Sequence, residues 1–284
     1  MSTPPHILMC PPRYYGIQYE INPWMHRQDA SDRRAAFGQW AALRRLLEGC
    51  GAQVSCLSPV PGLPDLVFTA NASLICRDVA IPARFRYPER QGEETHDRLW
   101  LSGHGFRICP LQSGVAFEGA GDALFCGETL FAGYRFRSDI RGHQEIGDLL
   151  GCRVISLELV DPRYYHLDTC FCPLAPGVAL YHPQALDAYG RRALGEAIED
   201  LIPVAGDEAA NFACNAVAVG RNVITNTGCP NLHRQLVAKG FAPLATPLGE
   251  FVKAGGAAKC LTLRLDGEEA AGWRQGKQAG CASA

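Results

Sequence analysis

Five phrases in this chain share one plan: a polar opening, an apolar strand and, in most of them, a turn and a second apolar strand. FTANASLICRDVAIPARF starts at 68, FEGAGDALFCGETLFAGY at 117, HLDTCFCPLAPGVALYHP at 166, NFACNAVAVGRNVITNTG at 211 and KCLTLRL at 259. The starts are 49, 49, 45 and 48 residues apart. Self-similarity at a near-constant period marks a repeat architecture. Between the phrases run helical segments, such as SDRRAAFGQWAALRRLLEGCG, which Ser31 or Asp32 can cap and Gly51 can end. PERQGEETHDRLWLSG, SDIRGHQEIGDLLG, PQALDAYGRRALGEAIEDL and PNLHRQLVAKG are others, and short strands such as QVSCL, RICPL, RVISLEL and IPV follow. A linear solenoid needs end repeats with polar outer faces, and none is visible. The expected fold is therefore α/β and cyclic, about five modules in a ring, with the N-terminal strand HILMCPP completing the module that Cys260 opens.

In a closed ring the same end of every module points at the centre. The residues there are Asn71, Glu118, His166 with Asp168, Asn211 or Asn215, and Cys260. A plain core would put apolar groups at these positions. Converging polar groups carry a desolvation cost unless a ligand or water satisfies them. Cys260 is a candidate nucleophile because a thiol becomes reactive when a neighbouring histidine, cation or helix end favours the thiolate. Its bland alternative is a small buried hydrophobe, the usual state of a cysteine in a chain with 13 of them.

The chain has 284 residues, 47% hydrophobic and 20% charged, which suits one catalytic domain over residues 1–275 with a disordered tail over 276–284. A net charge of −2 with dispersed Lys and Arg gives no footprint for nucleic acid, so a small-molecule partner is expected. No signal peptide and no apolar run of membrane-spanning length is read, which predicts a cytoplasmic protein without membrane contact. The odd cysteine count without a CxxC pair argues against a disulfide framework or a metal site. Cys170 and Cys172 form one CxC, read as alternation along a buried strand in preference to half a metal site. No Gly-rich nucleotide motif stands between a strand and a helix, so no cofactor is expected. A homodimer is the default oligomer.

FTAN, FEGAGD, HLDT and GGAAKC, in that order and with INPWM upstream, resemble the guanidino-group modifying superfamily. Its pentein fold is a five-bladed αβ-propeller with pseudo-fivefold symmetry and an active site on the central axis. The resemblance runs from INPWM at 21 to KCLTL at 259, and within the superfamily it is nearest to the arginine dihydrolase group. It implies a cysteine-dependent hydrolase of L-arginine acting through a covalent thiouronium intermediate. Cys260 matches the nucleophile, His166 the general acid and base, and Glu118 and Asp168 the carboxylates that grip the guanidinium. Arg137 matches an arginine that often meets the substrate carboxylate, Arg90 lies in the segment lining the pocket entrance, and Asp122 stands behind the reacting groups to orient His166 or its loop. Gly255 and Gly256 let the backbone before Cys260 approach the substrate.

Asn71 and Asn22 depart from the deiminase pattern, in which an Asp stands at the Asn71 position. A neutral amide removes a negative charge and offers both a donor and an acceptor. The dihydrolase likeness implies that Asn71, with Asn22, holds a citrulline-like species for a second hydrolysis to ornithine, ammonia and carbon dioxide. Dimethylargininase, citrulline-forming deiminase and amidinotransferase are the enzymatic alternatives. A ligand-sensing or ribosome-binding pentein is the non-enzymatic one, and the presence of both His166 and Cys260 speaks against it.

Overall fold

The structure is a computed structural model, and it describes residues 4–274. It contains five separate three-stranded sheets. Four of them are an antiparallel hairpin whose later strand pairs in parallel with a third strand reached through a helical connection, and the fifth has the same pairings without a hairpin. The first sheet joins Ser73–Cys76, Val79–Pro82 and Arg107–Ile108. The second joins Ala123–Cys126, Thr129–Tyr134 and Arg153–Glu158. The third joins Phe171–Ala175, Val178–Tyr181 and Asp200–Pro203, and the fourth Val217–Val219, Asn222–Asn226 and Ala242–Thr246.

The fifth sheet takes its strands from the two ends of the described chain. His6–Met9 lies between Leu263–Arg264, antiparallel, and Gln53–Cys56, parallel, with Leu8 opposite Leu263. The N-terminal strand thus completes the module that Cys260 opens, as expected. KCLTLRL is less regular than expected, because only Leu263–Arg264 pairs as a strand.

Local sequence explains the elements. Every hairpin turns on a residue in the left-handed region, namely Arg77, Gly127, Gly177 or Gly220. The helix Arg33–Gly49 starts at Asp32, whose carboxylate accepts the amides of Arg34 and Ala35, so Asp32 and not Ser31 is the cap. Ala36, Trp40, Leu43 and Leu47 recur at helical spacing and are its buried face. Removing one such side chain, as in Leu43→Ala, costs about 2–5 kcal/mol. The segment PERQGEETHDRLWLSG forms two helices, Pro88–Gln91 and Glu93–Gly103. Gly92 divides them where a Cβ would come within 2.9 Å of Leu63 Cδ2.

Just before the first strand of three sheets sits a short 3-10 turn: Thr69–Ala72, Gly119–Gly121 and Leu167–Thr169. These turns pack side by side, and the first strands of the second, third and fourth sheets pack against one another. Three of the five polar openings are therefore carried to one place. Cys170 and Cys172 are buried, as a strand residue and its neighbour would be, and the twelve described cysteines are all free. No described helix is long and apolar enough to cross a membrane. The tail expected over 276–284 lies outside the described residues.

Candidate active site

Hydrogen bonds link the five polar openings in a closed cycle. Asn71 Nδ2 reaches Glu118 O at 3.5 Å, and Glu118 Oε2 meets His166 Nε2 at 2.7 Å. Asn215 Nδ2 donates to Asp168 O at 3.1 Å and to Cys260 Sγ at 3.1 Å. Ala70 N donates to Cys260 O at 3.2 Å, which returns to the start. Gly119 and Gly121 permit this closeness. A Cβ on Gly119, which has φ of +59°, would lie 2.8 Å from Asn71 O, and one on Gly121 would overlap the Asn71 amide.

Glu118 is wholly buried, and its Oε2 takes both His166 and Arg137 Nη1, the latter at 3.1 Å. Burial opposes its ionisation, but the Arg137 charge and the His166 hydrogen bond outweigh burial and hold the carboxyl well below its usual range. Arg137 has its guanidinium between the rings of Tyr87 and Tyr165, at 4.7 and 4.6 Å, and donates to Ile21 O at 2.9 Å. The carboxylate that Arg137 meets here is the protein's own Glu118.

Asp168, also wholly buried, has a different environment. Its Oδ2 accepts the Cys260 thiol at 3.3 Å, while Oδ1 has no hydrogen-bond partner among the described residues. Burial lifts its carboxyl to about 7, with the Lys259 charge working the other way. Burial, then the neighbouring Asp168, pushes the Cys260 thiol far above its ordinary value. Burial thus favours the protonated thiol and raises the carboxyl beside it.

Arg90 is 3% exposed and lies inside the protein, which corrects its expected place at the pocket entrance. Glu93 takes its Nε and Nη2 at 3.0 and 2.7 Å, and its Nη1 donates to Asn71 Oδ1 at 2.8 Å. The acceptor of Asn71 is therefore occupied by Arg90. Glu93 itself is raised to about 7 by burial, partly offset by Arg90. Asp122 points away from the slot: Oδ2 accepts Ser138 Oγ at 2.6 Å and Oδ1 accepts Leu167 N at 3.0 Å. It fixes the backbone next to His166, so its placement fits the orienting role and not direct substrate contact.

Asn22 is committed to its own loop and to the segment before Cys260. Its Oδ1 accepts the amides of Trp24 and Met25, and its Nδ2 donates to Ala254 O at 3.1 Å. Trp24 Nε1 adds a bond to Arg163 O at 2.7 Å. Gly255, with φ of +83°, lies under Tyr165, whose hydroxyl donates to Gly255 O at 2.7 Å. Cys260, His166, Glu118, Asp168 and Asn71 are each no more than 2% exposed, so the centre is sealed from solvent.

Of the two asparagines offered by the fourth phrase, Asn215 is in the cycle, whereas Asn211 is exposed and bonded to Asp207 O and Gly228 O. Asp65, Glu93, Tyr87 and Tyr165 were missed by the sequence reading. Among the described residues no three His, Cys, Asp or Glu side chains group in a way that could hold a metal ion.

A family profile for N,N dimethylarginine dimethylhydrolase, eukaryotic, matches residues 19–265. The bifunctional arginine dihydrolase/ornithine cyclodeaminase AgrE of Nostoc sp. is 47% identical over 270 residues, covering 93% of this chain and 38% of AgrE. This chain therefore spans well under half the length of that relative. The N(G),N(G)-dimethylarginine dimethylaminohydrolase of Mycobacterium tuberculosis is 41% identical over 257 residues, covering 90% of this chain and 84% of the relative. Among solved structures, the N-terminal domain of ArgZ, a cyanobacterial arginine dihydrolase, bound to substrate superposes with a TM-score of 0.90 at 46% identity, covering 93% and 99% of the two chains. A further structure of that domain, covalently bound to a reaction intermediate, gives 0.89 at 46%, covering 92% and 97%. Sequence, fold and buried site agree, and the chain belongs to the dimethylarginine dimethylaminohydrolase family of the guanidino-group modifying superfamily.

Proposed function

We propose that this chain is a cysteine-dependent arginine dihydrolase, converting L-arginine and two waters to ornithine, carbon dioxide and two ammonia. The observation that carries the reading is the pair of buried carboxylates, Glu118 and Asp168, on either side of His166 and Cys260 in a sealed site. A planar guanidinium has fixed donors that two such acids can grip. The ring of hydrogen bonds through all five modules supports a five-bladed αβ-propeller with the site on its axis. It also supports a single catalytic domain over the described residues.

In this reading the Cys260 thiol passes its proton to His166 as Sγ attacks the guanidinium carbon and forms an S–C bond. His166, oriented by Glu118, gives a proton to the departing nitrogen as the C–N bond breaks. His166 then takes a proton from water as that water displaces the sulfur, leaving a citrulline-like product. Asn71 holds this neutral species for the second hydrolysis, because Arg90 fixes Oδ1 and leaves Nδ2 in only a long contact. Asp168 ionises as the cation arrives and binds it. Arg137 must leave Glu118 when the substrate guanidinium takes its place, and it then meets the substrate carboxylate, while Arg90 stays on Glu93 and Asn71. Asn22 anchors the loop that closes over the substrate.

Incubation of purified protein with L-arginine alone tests the proposal. Ornithine with two ammonia per arginine is the expected result. Citrulline with one ammonia would make it a deiminase. The likeness to the mycobacterial dimethylaminohydrolase supports a second reading, and N,N-dimethylarginine in a parallel reaction, followed by dimethylamine, decides between them.

A further inference from the structure

The side chain most heavily committed to the nucleophile is neither an acid nor the histidine. Phe212 adopts φ of +59° and accepts the Asn215 amide at 3.0 Å, a turn that carries Asn215 into the protein interior, where it is 0% exposed. All four hydrogen-bonding positions of its side-chain amide are used. Oδ1 accepts Ala257 N at 3.0 Å and Cys260 N at 3.1 Å, while Nδ2 donates to Asp168 O and to Cys260 Sγ. The two backbone donors at Oδ1 fix which end of the amide faces the sulfur. The backbone carbonyl of the same residue accepts Lys259 N at 3.2 Å, so one residue spans the whole turn before the thiol.

The surroundings of the sulfur make such a donor necessary. Asp168 lies on it, Tyr165 bonds Gly255 just before the same turn, and Lys259 is paired with Glu268 at 2.7 Å. His166 and Arg137 are both turned to Glu118. When the thiol loses its proton, its bond to Asp168 becomes a repulsion. A neutral N–H aimed at sulfur then favours the charged form.

We propose that Asn215 is a further catalytic residue, donating a hydrogen bond to the Cys260 thiolate and holding the 257–260 turn so that the sulfur stays on that donor. The inference rests on Cys260 being the nucleophile of the proposed reaction. Burial and Asp168 push the thiol up, and the Asn215 bond is among the contacts that pull it back.

The test is the pH dependence of Cys260 alkylation by iodoacetamide, read by peptide mass spectrometry, with exposed Cys56 of the same chain as internal control. In Asn215→Asp, which keeps the shape and the Oδ1 acceptor but loses the donor, Cys260 alkylation at neutral pH is expected to fall at least tenfold. Its midpoint should rise by about one pH unit, with Cys56 unchanged. An unchanged Cys260 profile in a variant that retains its circular dichroism and Tm overturns the proposal, as does faster alkylation, which would reveal a purely structural role. A second measurement needs no variant at position 215. The Asn215 Nδ2 amide resonance should titrate with the Cys260 midpoint in the wild-type chain and not in Cys260→Ala, and a pH-independent resonance in the wild-type chain overturns the assignment. Neither readout uses arginine, so failure to turn over arginine would remove the proposed activity while leaving the Asn215 result to stand or fall separately.

Discussion

Glu118 and Asp168 are equally buried, yet their carboxyls are shifted in opposite directions. Glu118 has Arg137 and His166 on one oxygen and stays ionised. Asp168 has a thiol on one oxygen and no hydrogen-bond partner on the other among the described residues, and burial lifts it to about 7. Burial alone therefore does not set the charge of a carboxyl; the partners do. The Glu118 side has its partners in place, whereas the Asp168 side keeps one oxygen without a hydrogen bond among the described residues, with the Lys259 charge nearby.

The largest effect should come from the Asp168 side. Cys260→Ala is expected to bring turnover below detection while leaving Tm within a few degrees, since the small thiol contributes little packing; residual normal turnover would end the covalent mechanism. Glu118→Gln attacks the completed side. It leaves Arg137 buried without its counter-charge and His166 without its orienting carboxylate, so about 10²–10⁴ in kcat should be lost together with about 3–5 kcal/mol of stability. Urea unfolding that matches the wild type would show that the Glu118 side is not held by its ion pair.

Asn71→Asp sharpens the contrast by adding a second anion on the Glu118 side, where Arg90 is already shared with Glu93. Product should shift toward citrulline, measured as the ornithine to citrulline ratio, and an unaltered ornithine yield removes Asn71 from the second step. The smallest effect is electrostatic. In Cys260→Ala, arginine binding by calorimetry should tighten as pH rises from about 6 to 8, because Asp168 carries a proton below about 7 and a charge above it. A Kd flat across that range would mean that Asp168 is not the acceptor of the cation.

Much of this site was legible in the sequence because polar residues recurred where a simple core needs apolar ones. The module plan, the joining of the chain ends and the convergence of Asn71, Glu118, His166, Asp168 and Cys260 all followed from spacing and residue type. The partner of Arg137 did not. Its direction is set by Tyr87 and Tyr165, which come from distant segments that only the fold brings together. Asp65 and Glu93 were overlooked because an acid beside a proline or early in a helix reads as a solvated group, yet here both are buried around Arg90. The choice between Asn211 and Asn215 depended on the left-handed turn at Phe212, a backbone state that a phenylalanine does not advertise.

The strand at His6–Met9, paired with Leu263–Arg264, has a consequence for biosynthesis. Cys260 lies three residues before a strand whose pairing partner is made more than two hundred residues earlier on the ribosome. The early strand must wait with one edge unfilled until the late one emerges. Cys260 is thus set beside its sheet only when translation has delivered Leu263–Arg264, long after the segments that carry Asn71, Glu118, His166 and Asp168.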